Sequence, residues 1–498
     1  MVQYQFIALA VTAITAATDK ISVQVHRNLE IAEQSNIVVK FHCDEALTTH
    51  RRRLKSGASR TETIESLVNS LKEHTTKSQA SVKSLLSNQV ESKAVEVATT
   101  WIQCSMYINN APTDLVYKFA TLPEVESIYE PVTMTLGETQ SDDKPASAVN
   151  DDIAWGIKKI QAPALWAKGI EGDGIVVANI DTGVRYTHES LESNWRREYG
   201  WFDPYNKTNK LPDDEWGHGT PVMGIMGGTK GIGVAPKAKW IACKGCNYEC
   251  NELQVVECAQ FLLCPHNNDG NKCDPSKAPH VINGSFGKYA RDLRWEDMII
   301  KWREAGIIPV FANGNNGVKG CASSEHPGMS PQVIGVGFTD SNDALSPQTR
   351  HFGSWFRHPT AGHFSDDGYS LGSGSSLAAP HVSGAIALYL SAHKGASYDQ
   401  VYRALTEHVD TDTLTPPNKT CGDIPNTQYP NNLFGHGRLN IFKAVAASIP
   451  DLTLPSQSKS TQALNPTNDL STCGTLEDNT HYVGGDLASV NLATVESC

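Results

Sequence analysis

The stretch "IVVANIDTG" (Ile175–Gly183) is apolar on both alternating sides and then breaks into a carboxylate and a turn. A half-exposed strand alternates apolar and polar residues. A run apolar on both faces suits a parallel sheet covered by helices on two sides. The same character returns in "WIAC" (Trp240–Cys243), "HVINGS" (His280–Ser285), "IIPVFAN" (Ile307–Asn313) and "VIGVGF" (Val333–Phe338). Helix-like segments such as "ELQVVECAQFLLC" and "WEDMIIKWREAG" lie between several of them. This alternation predicts an α/β fold with a doubly wound, mostly parallel sheet. In such sheets functional residues gather beyond the carboxyl ends of the strands. Asp181 falls just past the first run, "GSFG" follows "HVIN", and Asn313 and Asn315 follow "IIPVFA". A carboxylate, a Ser-Gly backbone stretch and two amides therefore meet at one rim.

A second stretch, "GSGSSLAAPHVSGAIAL" (Gly372–Leu388), sets serines at the mouth of an apolar helix. Proline is tolerated in a helix's first turn, so Pro380 places the start near Ser376. The free N–H groups and positive dipole end there stabilise a developing oxyanion. A serine at that point can attack a carbonyl while its own N–H holds the resulting charge. An alcohol needs a base, and "WGHGTPVMGIMGG" supplies His218 between glycines that permit close approach. A buried carboxylate must then hold the imidazole in the right tautomer; Asp181 is the candidate.

Asp181 in "IDTG", His218 in "GHGT" and Ser376 in "GSGSSLAAPH" resemble the three signature blocks of the subtilisin-like serine proteases, the subtilases, in their order Asp, His, Ser. "WGIKKIQAPALW" and "FGHGRLNIFKAV" match the two edges of that resemblance, and "WIAC…FLLCP…INGSFG" is most similar to the bacillopeptidase F-like branch. The resemblance implies a serine endopeptidase acting on proteins or peptides. It implies catalytic roles for Asp181, His218 and Ser376, an oxyanion-hole role for Asn315, and substrate-binding roles for Ser285, Phe286, Gly287 and Gly314. It places Glu325 near the back of the pocket for the residue before the scissile bond. A carboxylate there would favour Lys or Arg; a surface-loop Glu or a rim contact is the alternative. No cofactor or metal is implied for the chemistry, and a structural calcium is left open. Ser190 stands where subtilisins often place a calcium-binding Asp, and Pro221 and Leu377 replace the family's usual His and Met.

The rest of the chain fits an exported enzyme. Its 498 residues carry a net charge of -12, which disfavours nucleic-acid binding. Residues 1–17 have the shape of a secretory signal too short to span a bilayer, although they lack Lys or Arg; a buried N-terminal helix is the alternative. Residues 18–140 read as a small α+β unit and resemble the subtilase propeptide, an inhibitor and folding chaperone whose exit strand near Tyr129 would enter the cleft. Within it "NIVVKFHC" and "TWIQCSMYI" read as strands, "ETIESLVNSLKEH" as a helix and Arg51–Arg53 as a solvated loop or, less well, a secondary processing site. Residues 141–153 complete an exposed linker that starts at Gly137 and holds the processing region. The catalytic domain is expected over residues 154–449, a Ser, Thr, Pro and Asn rich linker over 450–470, and a short tail over 471–498. The tail resembles the opening of a PAN/Apple-type module that could bind glycan or protein.

Twelve cysteines sit in even groups: Cys43 and Cys104, eight from Cys243 to Cys421, then Cys473 and Cys498. That suits disulfides within each module in an oxidising compartment; "CKGCNYEC" read as a metal cluster lacks a matching second pair. Sequons occur at Asn206, Asn283 and Asn418; the resemblance puts Asn283 inside a central strand, where its sequon would be inaccessible. Two competing readings stand beside the protease. "GYSLG" around Ser370 matches the nucleophile elbow of α/β-hydrolases, but polar residues precede it where a buried strand is required. A non-catalytic binder would lack a triad member, and none is missing.

Overall fold

Each of the five apolar runs forms a strand of one parallel sheet. Its order is Ile334–Val336, Ile308–Ala312, Val281–Gly284, Val176–Asp181, Lys239–Lys244 and Trp201–Phe202, and the two-residue strand Asn491–Leu492 adds to the first edge. The computed structural model describes residues 19–91, 95–136, 142–146, 153–267, 270, 272–288, 292–345, 358–418, 420–449, 452–453 and 491–492. The signal-like residues 1–17, Cys473, Cys498 and nearly all of the tail lie outside these.

The two-faced apolar runs have a direct explanation. Val177, Trp240, Val281 and Val310 point into a core shared with the long helix Ser375–Ala392. Their neighbours Ala178, Ile241, Ile282 and Phe311 point into a second core on the opposite face, shared with the helices Glu252–Leu263 and Glu296–Glu304. Side chains alternate along a strand, so a sheet covered on both sides needs apolar residues at every position. From the Val176–Asp181 strand the chain moves outward on one side and later returns to Val281–Gly284 on the other. The carboxyl end of the Asp181 strand thus lies where strand order reverses, the place such sheets leave open for a site.

The second core does not stop at the sheet. It continues into the N-terminal unit, an antiparallel four-stranded sheet of order Glu96–Thr100, Ser105–Pro112, Gln34–Phe41 and Val125–Tyr129. Helix Arg60–Ser78 buries Ile64, Leu67, Val68 and Leu71 and begins with a capping box between Ser59 and Glu62. The phenolic hydroxyls of Tyr107 and Tyr129 both donate to the Glu252 carboxylate, at 3.1 and 3.3 Å, where helix Glu252–Leu263 starts.

Several details differ from the sequence reading. "TWIQCSMYI" is a turn over residues 101–104 between two antiparallel strands, not one strand. Arg51–Arg53 form the last turn of helix Asp44–Arg53, where their charge suits the carbonyl end; Arg53 pairs with Glu73 at 3.1 Å. Pro380 is the sixth residue of its helix rather than part of the first turn. Inside the expected linker, Asp142–Ala146 is a strand paired with Tyr369–Gly372. Ten cysteines pair as 43–104, 243–258, 246–250, 264–273 and 321–421, so all three cysteines of "CKGCNYEC" are held in disulfides. Asn283 is fully buried, its amide bonded to Asn179 and Ser285, while Asn206 and Asn418 are exposed.

Candidate active site

Asp181 closes its strand as a buried carboxylate. Its Oδ1 accepts from the Thr182 N–H at 2.8 Å and lies 2.7 Å from His218 Nδ1; its Oδ2 is buried without a partner. His218 stands just before the helix Gly219–Gly227, which packs on helix Ser375–Ala392. Gly219 allows the approach: a Cβ there would lie 2.1 Å from the Gly183 carbonyl oxygen. Burial would lower the imidazole's proton affinity, but the Asp181 charge, its hydrogen bond and the nearby Asp214 charge outweigh it, so the His218 pKa is raised. His218 Nε2 is buried and unpaired.

Ser376 is the second residue of its helix and is buried. Its hydroxyl is turned towards the Ser285 carbonyl at 3.4 Å, and no hydrogen bond joins it to His218 in this structure. Asn315 is fixed from one side only. Its Oδ1 accepts from the Ser375 N–H at 2.9 Å and the Ser375 hydroxyl at 2.8 Å, while Nδ2 is buried and donates to nothing. Its amide plane is thus aimed by the helix N-terminus that carries Ser376. Gly374, at φ 121°, makes room; a Cβ there would stand 3.1 Å from Asn315 Nδ2.

The expected substrate-binding residues also gather here. Phe286 is buried against Phe311 in an edge-to-face contact with centroids 5.6 Å apart. Glu325 is buried, and its carboxyl lies between Gly287 and Gly314: a Cβ on the first would be 2.8 Å from Oε2, and one on the second 3.0 Å from Oε1. Burial raises the Glu325 pKa, opposed by a hydrogen bond from Asn316 and the charge of Lys319. Between Glu249–Asn251 and Phe286–Gly287 runs the chain's own segment Thr133–Leu136, antiparallel to both. Met134 on it is fully buried and Thr135 is exposed.

Sequence reasoning missed the support for His218. The Asp214 carboxylate accepts from the Thr182 hydroxyl at 2.7 Å, the Gly217 N–H at 2.8 Å, and the Thr220 N–H and hydroxyl at 2.8 and 2.6 Å. The Thr182 oxygen in turn accepts from Gly219 N–H at 2.9 Å. One buried carboxylate so ties the Asp181 strand end to the His218 helix. An acid four residues before "HGT" was the available signal. Ser370, by contrast, sits mid-strand opposite Thr360, not on a strand-to-helix turn. Ser190 bonds through its hydroxyl to His188 Nδ1 at 2.8 Å, and no group of three or more metal-ligating side chains occurs among the described residues.

The class this fold and site define is the subtilase family. The family model for subtilases matches residues 172–437, and the chain belongs to that family. It is 30% identical over 478 residues to bacillopeptidase F of Bacillus subtilis (strain 168), a match that covers 86% of this chain and 32% of that protein. It is also similar to subtilisin E of the same strain, 30% identical over 270 residues (51% of this chain, 65% of that one), and to an alkaline protease of Alkalihalobacillus alcalophilus, 27% over 290 residues (55% and 71%). The chain thus spans about a third of the length of the bacillopeptidase it matches.

Proposed function

We propose that this chain is a secreted serine endopeptidase that hydrolyses peptide bonds through Asp181, His218 and Ser376 and an acyl-enzyme. The observation that carries the reading is the pair of buried, unpaired groups His218 Nε2 and Asn315 Nδ2, on elements packed against the Ser376 helix. A buried polar atom without a partner costs stability, so two of them on the elements around the Ser376 turn are read as held for a reacting group. In this reading the Ser376 side chain turns from the Ser285 carbonyl to present Oγ to the imidazole. His218 takes its proton as Oγ attacks the peptide carbonyl. Asn315 Nδ2 and the Ser376 N–H hold the oxyanion, and Asp181 steadies the imidazolium. His218 then protonates the leaving amine, and water repeats the sequence on the ester. The steps use these side chains, the Ser376 N–H and water.

The same reading makes the N-terminal unit an inhibitor. Thr133–Leu136 lies in the groove as an added strand, and Asp142–Ala146 joins the Tyr369–Gly372 strand just before the Ser376 turn. Self-cleavage between Leu136 and Asp142 would sever the link. For the residue before the scissile bond we favour Lys or Arg, because a buried Glu325 carboxylate flanked by Gly287 and Gly314 gains a partner when a cation enters. The Asn316 hydrogen bond favours the competing reading, a Glu held for structure. Glu325→Gln separates them: loss of the basic preference supports the first, an unchanged preference the second.

The central test pairs Ser376→Ala with Ser370→Ala. The first abolishes casein hydrolysis and serine-reagent labelling and leaves the chain uncut between Leu136 and Asp142; the second keeps all three. The reverse result would overturn the assignment of the nucleophile.

A further inference from the structure

Apolar side chains exposed singly need no explanation, but two large aromatic rings exposed side by side form a patch. Trp216 is 50% exposed and Tyr248 is 74% exposed, yet the two rings stand together with centroids 5.9 Å apart. Neither hangs on a loose loop. Trp216 precedes His218 by two residues and follows Asp214, whose carboxylate anchors that turn. Tyr248 lies within the Cys246–Cys250 disulfide loop, where Asn247 N–H bonds the Glu249 carbonyl and Cys246 N–H bonds the Asp181 carbonyl at 3.1 Å. The buried Lys244 ammonium, on the strand end two residues before Cys246, holds the Trp216 loop, 3.1 Å from Asp213 and 3.8 Å from Glu215. The frame holds the rings in place while leaving their faces open.

The register says what would meet them. Glu249 pairs with Thr135 and Cys250 with Met134, so the same register carried one residue further, into the bend before the strand, would set Tyr248 opposite Leu136. Side chains alternate, so Leu136 shares the inward face of Met134; it is half-buried where Thr135 is exposed. On the other wall Phe286 pairs with Leu136, and one step further a bound chain's next residue falls opposite Ser285, whose carbonyl is 3.4 Å from Ser376 Oγ. The place of Leu136 is therefore the second residue before the scissile bond.

We propose that Trp216 and Tyr248 form an aromatic clamp that selects a bulky apolar side chain at the second substrate residue before the scissile bond. This rests on the endopeptidase reading and deepens it. The test uses the processed enzyme and two fluorogenic tetrapeptide amides that differ only at that residue, Leu against Gly. The wild-type ratio of kcat/KM, Leu over Gly, is expected to be at least about tenfold, the discrimination an apolar pocket supplies. In Trp216→Ala and Tyr248→Ala it falls towards unity, and in Trp216→Phe most of it is kept. A ratio taken within one preparation cancels the active fraction, so partial misfolding does not imitate the effect. An active enzyme whose ratio is near unity, or is unchanged in both alanine variants, overturns the clamp alone. An enzyme inert on every peptide and on casein overturns the endopeptidase reading with it.

Discussion

The Ser285 hydroxyl donates to the carbonyl oxygen of Ser376 across 2.8 Å. That carbonyl has lost its helical donor, because the residue four positions on is Pro380, which has no N–H. Ser285 thus fills a gap in the helix that carries Ser376. Ser285→Ala would leave a buried carbonyl unpaired. It is expected to lower stability by about 1–3 kcal/mol, measured by denaturant unfolding in a Ser376→Ala background that prevents self-digestion. An unchanged midpoint would show that the bond contributes nothing.

Asn315 offers a cleaner dissection of the proposed oxyanion hole. Asn315→Asp keeps an acceptor for Ser375 but replaces the free donor with a second oxygen. Turnover should fall by at least about 10² to 10³, while KM for a peptide amide changes little. Equal losses in kcat and substrate affinity would point to a collapsed groove instead.

Gly374 tests the same hole through the backbone. At φ 121° an alanine is strained, and its Cβ would press on the Asn315 amide at 3.1 Å. Gly374→Ala should lower kcat by at least about tenfold, with a loss of about 1–3 kcal/mol in stability. A variant as active as the parent would mean that the amide need not stay where it is.

Asp214 predicts a pH effect. Only the neutral imidazole of His218 can accept the serine proton, so kcat/KM rises with pH through the His218 pKa. That pKa is raised, in part by the Asp214 charge. Asp214→Asn removes the charge, and the acid limb should move to lower pH. A limb that stays in place, with activity merely reduced, would confine Asp214 to holding the fold.

Stability should fall on acidification through His381. Burial depresses its pKa to about 4, and Nδ1 donates to the Leu377 carbonyl at 2.8 Å. Between pH about 6.5 and about 4 the unfolded chain takes up a proton that the folded chain refuses. The unfolded state is favoured there by up to about 1.4 kcal/mol per pH unit. In the Ser376→Ala background, His381→Asn should flatten that part of the stability curve. An unaltered slope would place the titration elsewhere.

The strands were legible because burial on two faces leaves a mark that needs no partner to be read. Asp181, His218, Ser376 and Asn315 could be picked out as candidates because glycines and small residues flank them, as a group proposed to meet a substrate backbone requires. Asp214 escaped notice: a carboxylate in a polar turn looks solvated until the turn folds over it. Trp216 and Tyr248 were silent too, since nothing local tells an exposed aromatic from a buried one. The strand Asp142–Ala146 hid in a polar stretch whose only reason to extend is the edge it meets.

By itself the sequence determined the layered α/β architecture and the family, and it singled out the side chains proposed to carry chemistry, because periodicity and turn composition are set by each residue's immediate neighbours along the chain. Only the tertiary structure decided that Asp181 and His218 bond, that Asn315 is oriented by Ser375, that Asp214 clamps two elements and that Thr133–Leu136 lies in the groove. Those are contacts between residues far apart in the chain, and burial and hydrogen-bond geometry exist only once packing has brought them together.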